Sequence, residues 1–84
     1  MIPSMTPTET ADNLRQGAAR LDEYVPAYRV VLATVLARRD AYLPGAAEAH
    51  VDALVGLVAG ARERAAGMRA EATRIEATLA AEAA

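Results

Sequence analysis

Apolar residues recur along the first half of the chain at alternating steps of three and four. They are Leu14, Ala18, Leu21, Val25, Tyr28, Leu32, Val35 and Tyr42, with Arg39 the one off-pattern position. In the second half Val51, Leu54, Val58, Ala61, Ala65, Met68, Ala72, Ile75 and Leu79 do the same without a break. A seam repeating every seven residues keeps one side of a helix against one partner helix. Between the two stripes stands Leu43-Pro44-Gly45, a linker short enough to force neighbouring helices antiparallel. The predicted fold is all-α: an antiparallel, coiled-coil-like helical hairpin, expected to pair into a four-helix bundle.

Local signals set the expected boundaries. Residues 1–5 read as a flexible lead-in and residues 6–82 as one hairpin domain. Thr6-Pro7-Thr8-Glu9 carries the marks of a helix start, with Thr6 as cap, Pro7 in the first turn and Glu9 closing a capping box. The first helix is predicted over about 7–42. Inside it Pro26 removes one backbone hydrogen bond, at a cost of roughly 3 kcal/mol. The seam keeps its phase from Leu21 through Val25 to Tyr28, which predicts a kinked helix rather than two separate ones. Leu43, preceding a proline, is pushed away from helical angles. After the turn at 43–45 a second helix is predicted over about 46–81, capped at Gly45 or its neighbour, with Glu48 favourably placed against the helix dipole.

A two-helix seam needs only one apolar stripe per helix, and the half nearest the turn has more. Val30, Val31 and Leu36 lie outside the first stripe, and Val55 and Leu57 outside the second. Folding at Pro44 sets these stretches side by side. Nearby outer positions Ala49, Ala53, Gly56 and Gly60 are small and uncharged, although each helical Gly costs about 1 kcal/mol relative to Ala. Val30, Val31, Leu36, Ala53, Val55, Gly56, Leu57 and Gly60 are therefore the predicted interface with another chain. The half nearest the termini is leaner: Ala61, Ala65, Met68 and Ala72 form a narrow seam that buries little area and should be held more weakly.

Composition narrows the functional classes. With 84 residues and no Cys, the chain has one small domain's worth of sequence and neither disulfides nor thiolate metal sites. Scaffolds of this size commonly need a staple or a partner, so the expected partners are a second copy and another protein. A net charge of −2 and a pI near 5.3 argue against nucleic-acid binding, which wants a basic face. All cations are Arg and Ala dominates, the bias of a GC-rich, bacterial coding sequence. Met1 to Thr10 has no cation followed by an apolar run, so no secretory signal is expected. The longest uncharged apolar runs, Val30–Ala37 and Ala53–Ala61, fall short of the roughly 20 residues a membrane span needs. A soluble, cytoplasmic protein is expected.

Candidate chemistry is sparse. His50 lies two residues from both Glu48 and Asp52, not the three or four that would put ligands on one helix face, so no metal site is expected. Arg39 reads as a side chain snorkelling at the end of the seam. Tyr28 and Tyr42 read as core residues with hydroxyls at its edge. The run from Arg62 to Arg74 is interleaved with Glu63 and Glu71 and reads as a solvated ion-pair face. No phosphate loop, nucleophile–base pair or carboxylate pocket can be assembled, so no cofactor, small-molecule substrate or catalytic residue is expected and the protein reads as a non-enzyme.

The stretch from Thr10 through Asn13, Leu14 and Arg15 to Asp22 resembles the first helix of the WXG100 (ESAT-6-like) proteins of type VII secretion. Leu43-Pro44-Gly45 takes the place of that family's Trp-x-Gly turn, keeping the glycine and lacking the tryptophan. Thr78 to Glu82 has the spacing of its Tyr-x-x-x-Asp/Glu signal without the tyrosine. The resemblance implies a secretion-linked dimer or an escort for a larger partner. The residues themselves point to a protein–protein interaction module, with a phage or secretion-machine subunit, a small inhibitor or a regulator that orders on binding as the competing classes.

Overall fold

The computed structural model describes residues 4–84, and among them the chain forms two long helices and no strand. Helix α1 runs Pro7–Ala37 and helix α2 runs Ala46–Ala83, packed antiparallel over their length. The particle measures 62 × 30 × 16 Å, the shape of a single two-helix layer. The lead-in expected at 1–5 lies partly outside the described residues; within them, Asn13 Nδ2 donates to Met5 Sδ at 2.9 Å.

Helix α1 starts where the capping signal stands. Thr6 is extended at φ −68° and ψ 157°. Its Oγ1 accepts from the Glu9 amide at 3.1 Å, and its hydroxyl donates to Glu9 Oε1 at the same distance. One of the otherwise unpaired first-turn amides is thereby satisfied. The helix passes through Pro26 without interruption. Pro26 is exposed and Val25 beside it is buried, so the proline occupies the solvent side while the seam continues.

The first helix ends earlier than Tyr42. At Arg38 the backbone opens to φ −114° and ψ 23°, and its amide is shared between Thr34 O and Val35 O. A 3-10 turn, Arg39–Ala41, follows, and Tyr42 is extended. Pro44 keeps Leu43 from helical angles, and the tighter turn carries the chain across to the second helix. Arg39 and Tyr42 consequently leave the seam; Tyr42 instead packs edge-on against His50, ring centroids 6.3 Å apart. Gly45 caps α2 at φ 81°, in the left-handed region that glycine enters without strain.

The interior is built chiefly of alanine. Ala11, Ala18, Ala47, Ala61, Ala65 and Ala72 are buried, with Val25, Val35 and Leu54 the larger members. The remaining seam positions from Leu14 to Leu32 and from Val51 to Leu79 are half-buried. Ala11 and Ala47 extend the stripes by one step at their starts. Nearest the turn, Val35, Ala47 and Leu54 form a cluster with Tyr28, Leu32 and Val51 against it. Farther out, Ala18, Ala65 and Ala72 are completely enclosed, and Met68 lies over Gly17, where an added Cβ would come within 3.3 Å of its sulfur. The enclosed positions of the terminal end are thus all small, with Leu14, Leu21, Met68, Ile75 and Leu79 half-buried beside them.

Candidate interaction surface

The heptad register places a ladder of side chains along one edge of the hairpin, one residue on from the seam. On α1 it contains Arg15, Asp22, Arg29 and Leu36, each seven residues from the last; on α2 it contains Glu76, Arg69, Arg62 and Val55 at the same interval. Arg15 pairs with Glu76, and Asp22 with Arg69, directly across the two helices. Arg15 also reaches Thr73 Oγ1 at 3.5 Å. The third rung breaks the rule of opposite charge. Arg29 and Arg62 both line a shallow groove of about 220 Å³ whose other walls are Leu32, Val55, Val58 and Ala59. Among the described residues neither arginine meets a carboxylate. Leu36 and Val55, the fourth rung, are both exposed.

Toward the turn the same edge changes sign. A smaller groove there is lined by Arg39, Glu48, Val51 and Asp52, two carboxylates to one guanidinium. The expected solvated ion-pair face on α2 resolves into two kinds of contact. Arg69 reaches across to Asp22, whereas Arg74 Nε donates to Glu71 Oε2 at 2.9 Å within its own helix. That hydrogen bond, aided by the nearby positive charge, holds the Glu71 carboxyl below its ordinary value and raises the Arg74 guanidinium.

The residues expected at an interface are placed as follows. Val30, Val31, Leu36, Val55 and Leu57 are exposed, Val30 to 67%. Ala53 and Gly56 are exposed and Gly60 is half-buried. At about 100° per residue, Val30, Val31 and Leu36 divide the circumference of α1 nearly in thirds, so they surround the helix rather than forming one strip. Tyr24 is exposed beside Tyr28, ring centroids 6.2 Å apart. His50 keeps company with Tyr42, and among the described residues no group of acidic and histidine side chains is spaced to hold a metal ion. No described helix is long and apolar enough to cross a membrane.

Arg29 has no part in the seam pattern, Arg62 belongs to the expected solvated ion-pair face, and Asp52 enters only as a neighbour of His50. The signal for Arg29 and Arg62 is the seven-residue spacing of charged positions beside each stripe, legible only once the two stripes are set in register; Asp52 lies outside that spacing. No protein family matches the chain, and neither a curated protein nor a solved structure gives a significant match.

Proposed function

We propose that this protein is a non-catalytic interaction module that associates with its own copies, or docks on a larger protein, through the turn-proximal half of its hairpin. One observation carries the reading. Around Val30–Leu36 the first helix carries apolar side chains around its circumference, Thr34 being the one polar residue with its hydroxyl turned back onto Val30 O. A helix of that kind is ordinarily enclosed by protein. Here only one side is covered, by α2, while Val30, Val31, Leu36, Val55 and Leu57 remain open to solvent. An apolar collar of this size on a free monomer is an aggregation liability and marks a binding surface. Two hairpins meeting there make a four-helix bundle.

Light scattering across a concentration series tests the reading. Association expected of the wild type should be weakened by Val55→Glu, which places a charge in the collar at an exposed site. A chain that stays monomeric at high concentration, alone and mixed with host lysate, would refute it.

A second reading is a WXG100-like partner or escort in type VII secretion, supported by the antiparallel hairpin and the left-handed glycine at its turn. Export that depends on the secretion ATPase is its test. A phage or secretion-machine subunit, or a small inhibitor, would reveal itself by the protein that co-purifies with the collar intact and is lost with Val55→Glu.

A further inference from the structure

The edge that carries the unpaired arginines is self-complementary. On α2, Asp52, Val55, Ala59 and Arg62 follow one another at steps of three, four and three, a second stripe lying one residue beyond the intramolecular seam. Its ends carry opposite charge and its middle is apolar. Asp52 and Arg62 are ten residues apart, about 15 Å along the helix, and the midpoint falls at the level of Leu57, whose own side chain lies about 200° around the helix from Val55 and Ala59 and outside this stripe. A two-fold axis perpendicular to the helix at that level exchanges the two ends. It sets Arg62 of one copy against Asp52 of the other, and Val55 against Ala59.

We propose that a second copy of this chain docks antiparallel on this edge, its Asp52 end entering the groove between Arg29 and Arg62. This rests on the self-association reading above and names its face. The third rung explains the choice of occupant. Two arginines from neighbouring helices face one apolar groove without a carboxylate, while the two rungs farther from the turn pair their charges within the hairpin. About 15 Å toward the turn the edge holds the excess carboxylate that the groove lacks. A symmetric interface must be complementary to itself, and here the complement is written on the same surface. Charges so arranged fix register and partner choice, with the apolar middle supplying the contact. The outer face, with Ala53, Gly56 and Gly60, stays clear of this contact and free for a different protein.

The test uses two charge reversals in the full-length chain, Asp52→Arg and Arg62→Asp, both at exposed helical positions. Each alone puts two like-charge pairs into a homodimer and should weaken association by roughly tenfold or more in sedimentation equilibrium. Mixing the two variants rebuilds one natural and one reversed pair, so the heterodimer should form at near wild-type strength. Circular dichroism establishes that each variant keeps its helices; Asp52→Lys with Arg62→Glu provides an independent pair. Variants that associate like the wild type would refute this face while leaving self-association standing. Weakened variants that stay apart when mixed would show that Asp52 and Arg62 do not meet. A wild type that never associates would overturn the self-association reading and this proposal with it.

Discussion

The same change made at Leu54 and at Leu57 separates the covered side of α2 from the open one. Leu54 is 6% exposed and Leu57 is 47% exposed, three residues apart on one helix. Leu54→Ala removes a side chain packed with Val35, Ala47, Tyr28, Leu32 and Val51. Leucine truncations in cores cost about 2–5 kcal/mol, depending on how well the site collapses. This cluster is only one layer deep and its rim residues are half-buried, so partial collapse puts the expected cost at roughly 2–3 kcal/mol. In a domain of this size each kcal/mol moves the melting point by about 4–8 °C, giving a fall of roughly 10–20 °C. Leu57→Ala leaves no cavity and should stay within about 0.5 kcal/mol of wild type. Urea and thermal melts followed at 222 nm, at concentrations where the chain is monomeric, make the comparison. Equal losses at the two positions, or a Leu54→Ala melt close to wild type, would refute the packing described for α2.

Gly56→Ala and Gly60→Ala should each raise the stability of the hairpin by about 1 kcal/mol, because a Cβ at either site meets nothing within 4 Å and alanine is the better helix former; a thermal melt reads the gain. Gly45→Ala should cost about 1–2 kcal/mol despite open space around it, since its φ of 81° strains any residue with a Cβ, and a urea titration measures the loss. Glu71, with its carboxyl held below the ordinary carboxylate value by its hydrogen bond from Arg74, makes a contribution that is complete above that ordinary value and fades as the pH falls through the lowered one. Glu71→Gln should therefore flatten the acid limb of the stability profile slightly, and a carbon-13 titration of the Glu71 carboxyl should show the depressed midpoint directly.

The hairpin was legible because a seven-residue apolar repeat constrains which side of each helix is covered, and the buried and half-buried positions from Leu14 to Val35 and from Val51 to Leu79 follow it. Ala11 and Ala47 were harder to see, since alanine is common on every side of these helices and loses its value as a marker. Arg39 stood out as a break in the pattern, and the break has a cause: the α-helix has already ended at Ala37 and the chain is turning. Tyr42 illustrates the opposite error, an apolar residue in phase with a helix that no longer exists there. The charged edge was hidden for a different reason. Arg15 and Glu76 are 61 positions apart, and no local window reveals that they meet or that Arg29 and Arg62 share a groove.

The alanine seam has a consequence for how the two helices find their alignment. Alanine knobs are all alike, so Ala18 opposite Ala72 feels much the same as it would one heptad away. Shape distinguishes register most strongly at the turn, where Val35, Leu54 and Tyr28 pack together, and less near the termini, where the enclosed positions are all alanine and Leu14, Leu21, Met68, Ile75 and Leu79 are only half-buried. There Arg15 with Glu76 and Asp22 with Arg69 add to the choice, exposed pairs whose attraction weakens as ionic strength rises. Salt is then a regional reagent: raising it should loosen amide protection at both chain ends together while the turn end keeps its own.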